Sequence, residues 1–280
     1  MIAEKQIKCQ DVTINYIDEG SGVPIVFIHN GGGFFQCWIK QIEYFRAEYR
    51  VIALDLPGFG ESSESDQPYT LDYFLQVLVV FLNKLQIDNM ILAGNCIGAS
   101  IAIKYKNRYP LKVIKLILIN ICPGERLIHL TLFRIILFKV KSEFITGTFK
   151  KIVRFLITGT PVKNKFPDIL FGPRPDKESS VYMKYLLKFK DPKQTRSRIN
   201  LLFASNTFTL SRILEDNSHV SDSLLIWGEF NKVADLRKEG YFHQNLCGIQ
   251  TINIMEGCGH LLMYESPERT NKLIRDHIES

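Results

Sequence analysis

The chain has 280 residues, 46% of them hydrophobic and 23% charged, a composition that fits one large globular domain with an insertion and excludes a disordered or fibrous chain. Its net charge of +6 is uneven: residues 121–220 carry 18 Lys+Arg against 8 Asp+Glu, while the rest carries 17 against 21. The opening MIAEKQIKCQ has no secretory pattern and no run reaches the roughly 18 apolar residues of a spanning helix, so a cytoplasmic protein is expected.

Residues 5–17 alternate weakly and turn through Asp18–Gly22, which predicts one or two edge strands. Pro24–Ile28 is a continuous apolar run, as a strand buried on both faces should be, and it ends in His29-Asn30-Gly31-Gly32-Gly33. A helical segment with Trp38, Ile42 and Phe45 follows. A second buried strand, Val51–Leu54, ends in Asp55-Leu-Pro-Gly-Phe-Gly-Glu-Ser62. Residues 70–86 have helical spacing. A strand from Met90 meets a turn, a helix runs to about Tyr109 before Pro110, and Leu116–Ile119 is another strand.

From 122 to about 215 the strand pattern disappears. Segments 127–140, 149–157 and 181–190 read as helices, broken by Pro161, Pro167, Pro173 and Pro175. A strand at Ser223–Trp227 ends in Gly228-Glu229-Phe230-Asn231. A helix is predicted over 234–246, a strand over 250–255 running into Glu256-Gly-Cys258-Gly259-His260, and a last helix capped by Ser266 with Pro267 at its first position. Strands alternating with helices predict a mostly parallel sheet covered on both faces, with ligands beyond the carboxyl ends of the strands. The clusters at His29–Gly33, Asp55–Ser62, Cys96, Asn231 and His260 all fall at such ends.

Six cysteines at 9, 37, 96, 122, 247 and 258 have no paired spacing, which predicts free thiols in a reducing compartment. Neither a C-x-x-C pair nor an H-E-x-x-H occurs, so no metal is indicated.

The most informative stretch is Met90–Ser100, where an apolar strand meets G-x-C-x-G and a helix. Gly94 and Gly98 let strand and helix pass closely, and the tip residue Cys96 takes a strained backbone with its side chain presented outward. The N–H of Ile97 lies at the helix N-terminus, where amides lack intrahelical acceptors and favour negative charge. A thiol there is drawn towards thiolate. The alternative is a glycine-rich turn with an inert cysteine.

FIHNGGG, DLPGFGESS, GNCIGAS, LLIWGEFN and GCGHLLMYESPE, in that order, make the chain resemble the α/β-hydrolase fold superfamily almost end to end. The resemblance implies a core of residues 1–121 and 216–280 with a helical lid at 122–215. It implies a nucleophile at Cys96, a base at His260, and an oxyanion hole from the N–H groups of Ile97 and Gly31. His29, Asn30 and Gly32 of the same loop are candidate substrate contacts, with His29 more often structural. Asp55 and Ser62 are read as braces of the neighbouring loop, and Cys258 as a structural small residue. Two positions depart from the pattern: cysteine replaces the usual serine, and Asn231 stands where the acid is expected. Asp235 would lie in the next helix, Asn120 occupies the other acid position, and Glu125 is a loose candidate.

The two departures are chemically consistent. A Cys–His pair can exist as thiolate and imidazolium before substrate arrives, and the third residue then mainly orients the ring, a task asparagine can perform. Cys96–His260–Asn231 therefore suits acyl transfer through a thioester, with an ester or thioester as substrate and no cofactor. Hydrolysis is the default outcome, transfer or cyclisation onto another nucleophile the alternative. Loss of catalysis on a retained scaffold is the third reading. The remaining histidines, 129, 219, 243 and 277, are expected at the surface.

The 122–215 segment is apolar as well as basic, above all LIHLTLFRIILFKV at 127–140. It reads as a helix over the pocket mouth. The sharper expectation is a contact with an acyl-carrier protein, CoA or an anionic membrane surface. Nucleic acid is not expected, because no reading motif accompanies the charge.

Overall fold

The structure, a computed structural model, describes residues 2–122, 167–204, 207–208 and 220–280. Eight strands form one sheet: β1 (Lys5–Cys9), β2 (Val12–Glu19), β3 (Pro24–Ile28), β4 (Arg50–Leu54), β5 (Met90–Asn95), β6 (Val113–Ile119), β7 (Leu224–Gly228) and β8 (Ile252–Met255), in the order β1-β2-β4-β3-β5-β6-β7-β8. The pairings β1–β2 and β2–β4 are antiparallel, and every pairing from β4–β3 to β7–β8 is parallel.

The apolar runs are buried on both faces for the reason the pattern suggested. In β3, Val26 and Ile28 face one core while Ile25 and Phe27 face the other, and β4 divides as Ile52 and Leu54 against Val51 and Ala53. Helices α2 (Leu71–Lys84) and α3 (Ile97–Arg108) cover the first face. Helix α1 (Ile39–Phe45), entered through a 3₁₀ turn at Phe35–Trp38, and the C-terminal helix Pro267–Glu279 cover the second. Thr70 starts α2 by accepting the N–H of Tyr73 at 3.1 Å.

Several local expectations are corrected. The 234–246 helix is interrupted: Leu236–Gly240 is a π-helical turn, followed by an α-helix at Tyr241–Leu246. Ser266 precedes the last helix but its side chain makes no cap hydrogen bond. His243 is fully buried, stacked on Trp227 at 5.9 Å between ring centroids, because the π-turn brings Glu239 O against its Nδ1 at 2.5 Å. His277 is half-buried, and His129 and His219 lie outside the described residues.

Between β6 and β7 the chain leaves the sheet. Its described part includes helices at Ser180–Lys190 and Pro192–Phe203. Ser179 caps the first through Tyr182 N and Asp191 the second through Lys193 N. The segments 127–140 and 149–157, the candidate acid Glu125 and most of the basic lid lie outside the described residues, as do 209–219. Among the described residues no helix is long and apolar enough to cross a membrane.

Candidate active site

At the end of β5 the chain reverses into α3 within one residue. Cys96 holds φ 59° and ψ −116°, a left-handed, strained conformation for a residue with a Cβ. The flanking glycines make this possible. A Cβ on Gly94 would stand 2.3 Å from the backbone of Gly98, and one on Gly98 would stand 2.4 Å from Ile28 O and 2.7 Å from His29 O. Strand, helix and the neighbouring strand β3 are thereby pressed together around Cys96.

The sulfur sits among three groups. The Cys122 thiol hydrogen-bonds to it, His260 contributes both positive charge and a hydrogen bond, and the N–H of Ile97 points at it. Together, with the Cys122 bond the largest, they hold the Cys96 thiol well below the usual cysteine range, against a burial that pushes it up. Four other cysteines go the opposite way. Burial raises Cys9, Cys37, Cys247 (to about 12) and Cys258 (to about 11).

His260 is held from four directions. Its Nδ1 lies 3.1 Å from Oδ1 of Asn231, which leaves Nε2 for Cys96. Its backbone N–H donates to Leu170 O at 2.8 Å. Its carbonyl accepts from the side-chain amides of Asn95 (3.2 Å) and Asn120 (3.0 Å). Asn120, in the left-handed region at φ 47°, also accepts the N–H of Gly228 at 3.0 Å, so the second acid position of the fold carries a clamp between β6, β7 and the histidine loop. The preceding residue, Gly259, donates to Glu265 Oε2 at 2.9 Å, and Glu265 Oε1 takes the N–H of Gly172 at 2.5 Å.

Asn231 is 3% exposed, and its Oδ1 accepts N–H groups of Val233 (3.0 Å) and Ala234 (3.1 Å) besides the histidine. Its Nδ2 finds no partner among the described residues. Asp235 points away, as expected, and caps the π-turn through Arg237 and Lys238 N–H.

The His29–Gly33 loop folds beside the elbow, closed by Gly33 N to Asn30 O at 3.0 Å. His29 is fully buried, its Nε2 accepting the Leu56 N–H at 2.8 Å and its Nδ1 donating to Asn30 O at 2.7 Å. Burial lowers it to about 4, so the ring is neutral. Both nitrogens are engaged within the protein, where they brace the loop. Asp55 and Ser62 brace the adjoining loop: Asp55 accepts from Phe35 N, Glu61 N and Asn15 Nδ2, and Ser62 Oγ donates to Asp55 O.

Three residues of the β6–β7 insertion reach this loop, and no sequence motif announced any of them. Tyr185 is buried, packs at a tilt on Phe34 with ring centroids 4.5 Å apart, donates to Asn30 Oδ1 at 2.8 Å and hydrogen-bonds Cys37. Leu201 lies over Gly31, where an added Cβ would approach its Cδ2 to 2.9 Å. Gly32 faces the stem of Arg198, whose guanidinium donates to the last carbonyls of the Ser180–Lys190 helix. The spacing of 181–190 indicated a helix but not which face would meet the sheet.

Sheet order, turn geometry and the loops converging on Cys96 define an α/β-hydrolase architecture. The family model for the alpha/beta hydrolase fold matches residues 23–267, and the chain belongs to that family. A hydrolase of Acinetobacter baylyi acting on (E)-2-((N-methylformamido)methylene)succinate is 36% identical over 89 residues, which are 32% of this chain and 34% of that protein. Human epoxide hydrolase 4 is 24% identical over 96% of this chain and 76% of its own length. A thermophilic esterase of Thermogutta terrifontis superposes with a TM-score of 0.76 at 19% identity, over 99% of this chain and 98% of that one. Several curated relatives with more than 30% identity are matched over only about a third of their length, from 26% to 36%.

Proposed function

We propose that the chain acts on an ester or thioester through Cys96, with His260 as proton carrier and Asn231 as the residue that orients it. The observation that carries this reading is the Cys96 sulfur at the strained turn, hydrogen-bonded to a histidine whose far nitrogen meets an asparagine oxygen. The thiolate attacks the acyl carbon. Negative charge moves to the carbonyl oxygen, against the N–H groups of Ile97 and Gly31. Collapse expels the alcohol or thiol, protonated from His260 Nε2, and leaves a thioester on Cys96. Water, deprotonated by the same nitrogen, then attacks the thioester, and the acid leaves as thiolate and imidazolium re-form.

Hydrolysis is the default because water needs no binding site. The buried setting of Cys96, 2% exposed, favours a second outcome when an amine or alcohol enters with the acyl group: transfer to that acceptor. The hydrolase relatives support the first reading. The basic β6–β7 insertion supports an anionic acyl donor, either a carrier protein, a CoA thioester or a lipid at an anionic surface.

The test is intact-mass measurement of the protein after exposure to activated esters and thioesters. An acyl adduct on the wild type, mapped to Cys96 and missing in Cys96→Ala, is expected. An adduct on another residue, or none from any donor, overturns the reading.

A further inference from the structure

We infer a second chemistry at this site: Cys96 and Cys122 form a dithiol that reduces a small hydroperoxide, with Cys96 oxidised first and Cys122 resolving it. The inference rests on the proposed thiolate at Cys96 but not on acyl transfer.

The two sulfurs come together for reasons of topology. Strands β5 and β6 are parallel neighbours, with Asn95 opposite Ile119, and Cys96 N donates to Ile119 O at 3.0 Å. Cys122 lies three residues further on, after the left-handed turn at Asn120 that redirects the chain across the end of β5. Its thiol is buried and donates a hydrogen bond to the Cys96 sulfur. An S–H donor already aimed at a thiolate is one short displacement from disulfide contact. Acyl transfer as described uses Cys96, His260, Asn231 and two backbone amides, and gives this second thiol no covalent task. Cys37 is differently placed: it hydrogen-bonds Tyr185, and burial raises its thiol.

The electron count closes. The Cys96 thiolate attacks the terminal oxygen of R–O–O–H. A sulfur–oxygen bond forms, the O–O bond breaks, and the alkoxide leaves as an alcohol with the His260 proton. The product is a sulfenic acid on Cys96, whose developing charge meets the same Ile97 N–H. Cys122 then attacks the Cys96 sulfur. Its thiol proton leaves with the expelled hydroxide as water, and a disulfide remains. Two electrons have passed from the sulfur pair to the peroxide. A low-molecular-weight dithiol, or two equivalents of a monothiol, restores the pair. While the disulfide stands, Cys96 is not a thiolate and cannot attack an acyl carbon, so acyl transfer stops. Burial of both sulfurs selects hydrogen peroxide or a small alkyl hydroperoxide over a bulky one.

The test uses the reduced full chain, treated with one equivalent of hydrogen peroxide, quenched with an alkylating agent and digested without reductant. The expected result is a loss of two hydrogens from the intact mass, a peptide pair joined through Cys96 and Cys122, and full return with dithiothreitol. In Cys122→Ser, Cys96 should give a dimedone adduct that the wild type does not, and should pass on to the sulfinic acid with excess peroxide. The wild-type map stands by itself if that variant does not fold. Sulfinic acid on wild-type Cys96 with Cys122 still open to alkylation overturns the inference, as does a Cys96–Cys37 disulfide. Acylation of the reduced protein by an activated ester is read separately. A disulfide without acylation refutes only the proposed function, and acylation without a disulfide refutes only this inference.

Discussion

Oδ1 of Asn231 lies 3.1 Å from Nδ1 of His260 and accepts two further backbone N–H groups, while Nδ2 of the same amide has no partner among the described residues. The oxygen does the orienting and the nitrogen is a buried donor left over. Asn231→Asp keeps the oxygen and removes that donor. We expect kcat/KM for a short thioester to stay within about tenfold, about 1.4 kcal/mol of barrier. The alkaline limb of its rate profile should move to higher pH, because a carboxylate holds the imidazolium proton. Asn231→Leu should lose far more, and His260→Ala about a thousandfold or more. Steady-state rates across pH on folded variants check all three, and a silent His260→Ala would remove the histidine from the chemistry.

Cys96 should be the first thiol to react with a small alkylating agent. Its hydrogen bonds and the nearby His260 hold it well below the ordinary cysteine range, whereas burial raises Cys9, Cys37, Cys247 and Cys258. An unperturbed thiol titrates near about 8.5, so its alkylation climbs steeply from about pH 6 to 9. The Cys96 rate should already be near its plateau at the low end of that window. Peptide mapping after brief substoichiometric iodoacetamide reads both points, and first modification at Cys37 or Cys258 would contradict them.

Gly98→Ala should cost about 3 kcal/mol or more of stability, because its methyl would meet two backbone carbonyl oxygens of β3 that cannot turn aside. Gly257→Ala is the control. It sits at φ 75° with nothing within 4 Å of the added carbon, so only the left-handed backbone cost of about 1–2 kcal/mol applies. Urea unfolding of the two variants gives the comparison, and equal losses would show that the approach of α3 to β3 is not the constraint.

Glu265 accepts two buried N–H groups, one from each side of the histidine loop. A glutamine can turn its oxygen to only one of them. Glu265→Gln should lower stability by about 1–3 kcal/mol and reduce kcat more than it raises KM, since the misplaced element is the loop carrying His260. Burial raises the Glu265 carboxyl above its ordinary value, so the folded state binds its proton more tightly than the unfolded chain does. This group therefore stabilises the fold most below the ordinary carboxylate range, and that contribution fades as pH rises through the folded value. The variant should lack this decline in a pH series of thermal melts.

If the basic insertion docks an anionic acyl donor, the ratio of kcat/KM for a carrier-linked or CoA thioester to that for a neutral short ester should fall steeply as salt rises from about 0.02 to 0.5 M. Charge reversals among Lys139, Lys141, Lys150, Lys151 and Arg154, all outside the described residues, should flatten that fall. A ratio indifferent to salt would leave the charge as a solvated surface.

The sheet was legible because a stretch buried on both faces must be apolar, as Ile25–Ile28, Val51–Leu54, Met90–Ala93 and Leu116–Ile119 are. The turn at Cys96 was legible because only small neighbours permit it. Other features were not, for reasons equally physical. Asn120 was legible only as the occupant of the second acid position and Asn95 only as part of the turn, yet their amides converge on the His260 carbonyl, a pairing between residues far apart in the chain. Tyr185 lies on a helix whose periodicity defines a face without saying what that face meets. His243 was expected outside because no partner stood at a telling spacing in the sequence, and the structure buries it against Trp227 with Glu239 O on its Nδ1.

The stretch Leu170–Gly172, ahead of the Ser180–Lys190 helix, has a consequence for chimeras. Leu170 O takes the N–H groups of both His260 and Leu261, and Gly172 N–H goes to Glu265. Residues 170–172 are spelled out within the insertion, but they complete the scaffold of the histidine. A foreign insertion grafted between β6 and β7 would thus carry away part of the host's own machinery. The graft point that preserves the host lies upstream of Pro167, so that whatever is exchanged, the final approach to the sheet stays native.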